Sequence, residues 1–214
     1  MSMICYLTSL TPAQISTFTG APELVSAYVE NALETGINDP LEAKLAKGPP
    51  EMLKQYLAAK HSLAATMKSA AEPGRPPSPL DRLGPFQPLL DLQKSWHVLH
   101  YLLTGRMDTS GSLGDFLLTG DPIGDDQGYG PARLHSPAQT SAISGFLAPI
   151  TAETLVKRLD LKRMTDQGVY PMTPYDERAG LDGWDMDISD TFPRLKDCID
   201  VAAARGDGLL IWLS

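Results

Sequence analysis

His97 and His100 stand three residues apart in the run Asp91–Leu103, DLQKSWHVLHYLL. On a helix that spacing puts both rings on one face, with Gln93 and Thr104 continuing the stripe. Leu92, Trp96, Leu99 and Leu103 mark a second stripe, and Val98, Tyr101 and Leu102 make the remaining surface apolar. A helix apolar nearly all round is a buried one. A buried imidazole without a partner costs about 1–3 kcal/mol, so later loops must supply groups that meet these rings. Asp121, Asp125, Asp126, Tyr129, Arg133 and His135 are the candidates. Three chemistries fit the pattern. Two imidazoles and a carboxylate could hold zinc or iron. One imidazole could act as general acid or base while Arg133 binds an anion. Or both rings could be core histidines that tie the helix to the loop. HExxH spacing is absent, and the sequence commits to no metal and no cofactor.

The second stretch is the loop Gly120-Asp121-Pro122-Ile123-Gly124-Asp125-Asp126-Gln127-Gly128-Tyr129-Gly130-Pro131. Its glycines allow positive φ and close backbone approach. It lacks the Gly-Lys-Ser/Thr ending of a phosphate loop, and three aspartates would repel a phosphate. It reads as a rigid loop over the central helix or as the rim of a small-molecule pocket. A third set, Asp182, Asp185, Asp187 and Asp190, lacks the glycine and terminal glutamate of a calcium loop. No Gly-x-Ser-x-Gly elbow is present. Cys5 and Cys198 sit among apolar neighbours and read as small buried hydrophobes.

These residues need elements to hold them. Met3–Leu10 reads as a buried first strand, and Thr11-Pro12 as the opening of a helix. Leu24, Tyr28, Ala32 and Leu33 share one face of the next helix, which Gly36 stops. A further helix is expected from about 50 to 70. Six prolines between positions 73 and 88 then rule out a regular element and predict an extended connector. After the helix over 91–103, residues 106–135 read as loop-rich. Ser136-Pro137 caps a helix to about Leu147, and Thr151 caps another to about Leu159. Val169–Pro171 reads as extended. Ile188, Phe192, Leu195, Ile199 and Ala202 follow helical spacing up to Gly206, and Gly208–Leu213 (GLLIWL) has the unbroken apolarity of a strand buried on both faces. The expected fold class is α/β: a three-layer sandwich with a small central sheet holding the N- and C-terminal strands, and helices packed on both faces.

The chain has 214 residues, with 18 Lys+Arg against 26 Asp+Glu and a formal net charge of −8. Residues 176–200 hold eight of the acidic side chains against three basic ones. This balance argues against nucleic acid and anionic membrane as partners, since both attract basic surfaces. No stretch has the ~18 apolar residues of a membrane span. The first ten residues lack the basic and apolar regions of an export signal. The expectation is a cytoplasmic protein forming one domain over 1–214, with 38–90 a helix plus proline-rich connector that is either an insertion or a long crossing.

Three motifs together carry a resemblance. They are Trp96-His97-Val98-Leu99-His100-Tyr101-Leu102-Leu103-Thr104-Gly105, the loop Pro122-Ile123-Gly124 followed by Gly128-Tyr129-Gly130-Pro131-Ala132-Arg133, and Arg205-Gly206-Asp207-Gly208 running into the final apolar run. With Met3–Tyr6 and Val169–Pro171, the chain resembles the bacterial YfbM-like family of domains of unknown function, end to end and in order. The resemblance implies a three-layer α/β fold and no established activity. It further implies that the His97/His100 helix and the Tyr129/Arg133 loop face a common region, and it points loosely to a binding role, since some relatives belong to bacterial toxin-neutralising repertoires. The functional expectation is therefore a non-enzymatic binding protein for a partner protein or small ligand. The alternative is a small-molecule enzyme with a histidine acid/base, its pocket lying between the Trp96–Gly105 helix and the Gly120–Arg133 loop and formed by Trp96, His97, His100, Tyr101, Asp121, Tyr129 and Arg133.

Overall fold

The two ends of the chain supply the middle of the sheet. The computed structural model describes residues 3–36, 87–172 and 182–214, with the isolated positions 52, 55, 80 and 83. Five strands, β1 (Cys5–Leu10), β2 (Leu89–Asp91), β3 (Asp121–Asp126), β4 (Pro131–His135) and β5 (Gly208–Leu213), form one sheet in the order β2-β1-β5-β4-β3. All the pairings are antiparallel. β1 and β5 pair along their full length, from Cys5 opposite Leu213 to Leu10 opposite Gly208. All six residues of β5 are buried, as expected for a strand covered on both faces.

Strand alternation divides the interior in two. Leu209, Ile211 and Leu213, with Cys5 and Leu7, point into a large core; Leu210, Trp212, Tyr6 and Leu10 point into a smaller one. The smaller core lies under α1 (Pro12–Gly20) and α2 (Leu24–Gly36), which contribute Phe18, Val25, Tyr28 and Val29. The rings of Tyr6 and Trp212 stack across β1 and β5 at 5.6 Å, and Phe18 meets Tyr28 edge-on at 5.1 Å. The larger core is closed by α3 (Ser95–Thr104), α4 (Pro137–Leu147), the short α5 (Ala152–Val156) and α6 (Leu161–Asp166), and the long α7 (Asp182–Arg205). This is the three-layer α/β arrangement expected. Among the described residues no helix is long and apolar enough to cross a membrane.

Local chemistry explains the helix starts. Thr11 and Gln14 form a reciprocal capping box, Oγ1 accepting from the Gln14 amide and Oε1 from the Thr11 amide. Ser136 and Gln139 repeat the device ahead of α4. α3 ends at Gly105, whose φ of 73° no β-carbon would favour.

Several expectations need correction. The helix read from Asp91 begins at Ser95, because Leu89–Asp91 pair with β1 as an edge strand. The Asp91 carboxylate then accepts from the Gln93 amide at 2.7 Å, closing a tight turn in which Gln93 takes a φ of 50°. The glycine-rich stretch is a hairpin, β3–β4, with an irregular register between Ile123 and Asp126. The Thr151 helix stops at Val156, and α6 follows it unforeseen. Residues 169–171 form a turn. The helix expected over 50–70 and most of the proline-rich connector lie outside the described residues. Leu83, within that connector, is buried in the smaller core, and its carbonyl accepts from Gln14 Nε2 at 2.9 Å.

Close packing at the centre predicts an asymmetry between two glycines. A β-carbon at Gly208 would strike the His135 carbonyl oxygen and lie 2.6 Å from Ile15 Cδ1, whereas one at Gly145, on the exposed face of α4, would meet nothing within 4 Å. Gly208→Ala is expected to lose about 2–3 kcal/mol of stability by overpacking, and Gly145→Ala to gain about 0.5–1 kcal/mol from helix propensity. Urea denaturation midpoints of the two variants check both.

Candidate functional site

α3 crosses the larger core with Trp96, Tyr101 and His100 buried and His97 half-buried. Trp96 donates from Nε1 to the Met3 carbonyl at 3.3 Å. His97 stacks on Trp96 at 4.8 Å and accepts the Tyr170 backbone N–H at Nδ1, 3.1 Å away. Its neutral form therefore carries the proton on Nε2. The Tyr170 hydroxyl accepts in turn from the Met3 amide at 3.0 Å. Met3, Trp96, His97 and Tyr170 thus pin the 169–171 turn to α3 and to the start of β1.

His100 is sealed off from solvent, its ring 6.0 Å from that of His97. Among the described residues, neither of its nitrogens closes a hydrogen bond of good geometry. Beside it, Asp115 is also fully buried. Asp115 Oδ2 accepts from the amides of Ser110 and Ser112, both at 2.8 Å, and from the Ser110 hydroxyl at 3.2 Å. Oδ1 faces the Arg106 guanidinium at 3.7 Å. Burial pushes the Asp115 carboxyl up, but the hydrogen bonds from Ser110 and Ser112 outweigh it and hold the group below its usual range. Burial dominates at His97 and His100 and lowers both below the ordinary imidazole value; at His100 the Asp115 charge offsets part of that.

Arg133 and His135 alternate along β4 with Ala132 and Leu134, which point into the smaller core. Both therefore point to the α3 face. His135 Nε2 donates to the Phe116 carbonyl at 2.9 Å, and burial lowers this imidazole as well. Arg133 is half-buried, and its Nη1 has no hydrogen-bond partner among the described residues. Tyr129 packs against the larger core from the hairpin turn. That turn is held by the Asp126 carboxylate, which accepts from the Gly128 and Gly130 amides at 2.6 and 3.1 Å.

Asp121 stands apart from the other candidates. It pairs with Leu134, so it points to the opposite face of the sheet, toward α1 and α2. There it lines a cleft of about 630 Å³. The end of α1 contributes Phe18 and Thr19, the link to α2 contributes Pro22 and Glu23, the strand β3 runs along the cleft from Asp121 to Asp125, and Leu134 lies beneath. Gly124 closes one wall. With a φ of 75°, it brings β3 so near α2 that a β-carbon would lie 2.7 Å from Val25 Cβ and 3.2 Å from the Pro22 carbonyl oxygen. None of Trp96, His97, His100, Tyr101, Tyr129 or Arg133 lines this cleft. Phe18, Thr19, Pro22 and Glu23 gave no chemical signal in sequence; the one available hint was an exposed acidic run, Asp121–Asp126, beside a break between two helices at Ala21-Pro22. Among the described residues no three His, Cys, Asp or Glu side chains converge to hold a metal.

A family model described as a domain of unknown function, DUF1877, matches residues 1–212, and the chain belongs to that family. The fold is similar to that of the crystal structure of YfbM from Escherichia coli, itself a protein of unknown function, with a TM-score of 0.54, 15% sequence identity and 99% of each chain covered. At that identity the likeness carries the fold alone. No curated protein matches the chain in sequence.

The buried rings make stability depend on pH. His97, His100 and His135 are depressed in the folded chain, so below about pH 6.5 the unfolded chain binds more protons than the folded one. Stability is therefore expected to fall between pH 7.5 and 5.5. Asp115, depressed itself, contributes stability that is lost only below the usual carboxylate range, and Asp91, pushed up by burial, acts in the opposite sense near that range. His100→Leu should show a shallower loss over the same interval by urea denaturation. An unchanged slope would contradict the placement of His100.

Proposed function

We propose that this member of the family works by binding, without catalysing a reaction, and that the cleft between α1, α2 and β3 receives a small ligand or a side chain of a partner protein. The observation that carries this reading is the cleft itself, a ligand-sized concavity with a buried apolar floor and polar groups at its rim. Among the described residues its lining holds no histidine, cysteine, serine, lysine or arginine, so these offer no nucleophile–base pair of the usual kind.

The enzymatic alternative places a histidine acid/base beneath the hairpin. It has less support: His100 is shut away from solvent, His97 Nδ1 is occupied by the Tyr170 N–H, and neither ring lines the cleft. A general base must reach the proton it removes. In this reading Trp96, His97, Tyr101, Tyr129 and Arg133 secure the loops on the α3 face. The same proposal takes the chain as one cytoplasmic unit over 1–214, with 38–90 an insertion or connector. It also takes a partner that is neither nucleic acid nor membrane, which the net charge of −8 favours.

A thermal-shift screen of metabolites and metal ions tests the assignment, using wild type, Thr19→Trp and His97→Ala. Ligand at a hundred times its Kd stabilises by about 2.7 kcal/mol. The stabilisation is expected to persist in His97→Ala and to vanish in Thr19→Trp, which fills the cleft from an exposed position. Loss in His97→Ala with retention in Thr19→Trp would move the site to the α3 face.

A further inference from the structure

We infer that the cleft takes an organic cation, a primary ammonium or guanidinium group carried on an aliphatic stem. The inference rests on the reading that the cleft binds, and adds the chemistry of what it binds. Among the described residues three carboxylates line the cleft, Glu23, Asp121 and Asp125, and no lysine or arginine does. All three are exposed, and among the described residues none of them forms an ion pair. Glu23 directly precedes the first residue of α2, so its charge is partly answered by the positive end of that helix. Asp121 and Asp125 have no such compensation. The last turn of α1, which supplies Phe18 and Thr19, adds the partial negative charge of a helix C-terminus. An anion entering this space would meet net repulsion from the three carboxylates, because the positive end of α2 already serves Glu23.

Two further observations narrow the class of cation. The three carboxylates do not converge as a metal-holding group, and a calcium or magnesium ion needs several oxygens at about 2.0–2.6 Å. Charges spaced along a wall suit an extended cation instead. The floor beneath them is apolar: Phe18 and Leu134 are buried and Ile123 is half-buried. Such a floor receives the methylene stem of a lysine, an arginine or a polyamine while the charged head stays at the acidic rim. The shared chemistry has two sources, a free amine or a basic side chain on a protein.

Isothermal titration calorimetry on the full chain separates the possibilities. The probes are spermidine and cadaverine as free amines, and end-blocked peptides carrying one arginine or one lysine as protein side chains. Pentanol, hexanoate and magnesium chloride serve as neutral, anionic and inorganic comparators. At least one organic cation is expected to bind about tenfold or more tightly than pentanol or hexanoate, and to weaken with added salt. A preference for the amines or for the peptides assigns the source. The double variant Asp121→Asn, Asp125→Asn should lose about tenfold in affinity with its melting temperature unchanged. The control Glu153→Gln, Asp166→Asn, which removes two exposed charges elsewhere, should lose none. Equal loss in both variants, or none in either, would show diffuse attraction to an acidic protein and overturn the inference. Tighter binding of pentanol, hexanoate or magnesium, sensitive to Thr19→Trp, would overturn the charge assignment and leave the cleft a binding site. Binding of no probe, with no cleft-dependent stabilisation in the wider screen, would remove both.

Discussion

The antiparallel pairing of β1 with β5 is the contact on which the rest depends. It joins the first strand to the last across the whole chain, in a six-residue register with no irregularity. Closing so long a loop is entropically costly, and the return comes from burying both faces of both strands at once. Because side chains alternate, the pairing also forces the interior into two compartments that share only the backbone of the sheet. Every later placement follows from which compartment a residue enters.

The two compartments have different chemistry. On the α3 face, polar groups lie deep and several are answered locally: His97 by Tyr170, His135 by Phe116, Asp115 by Ser110, Ser112 and Arg106. Such a network fixes loops against a core. On the other face, α1 and α2 cover the sheet, and α2 meets the edge strand β3 at Gly124. The hairpin leans back onto α2 through Gly124 and leaves the cleft between them. Polar side chains there are exposed at a rim, available to something outside the chain.

The central layers were legible in the sequence because their residues answer to one rule at a time. Unbroken apolarity marked β5, capping residues marked the starts of α1 and α4, and helical spacing marked α3 and α7. The edges were not legible. DPIGDD carries a proline, a glycine and three aspartates, which no strand propensity would favour; it becomes β3 because β4 pairs with it and α2 receives Gly124. Asp91 and Leu92 read as the start of a helix because Leu92 lies four residues before Trp96, yet β1 recruits Leu89–Asp91 into the sheet. Of the seven candidate site residues, the sequence pattern grouped Asp121 with the histidines by proximity along the chain. Its place opposite Leu134 sends it to the other face. The cleft was invisible because its walls come from the end of one helix, a three-residue link and a hairpin about a hundred residues later.

The central claim is that binding occurs on the α1/α2 face while the α3 histidines hold the fold. Amide chemical-shift mapping on the isotope-labelled protein, during titration with the organic cation that binds it best, addresses both halves together. The account predicts shifts confined to Thr19, Glu23 and Ile123–Asp125, with His97, His100 and Tyr170 unmoved. Shifts centred on His97, His100 and Tyr170, with the cleft silent, would contradict it.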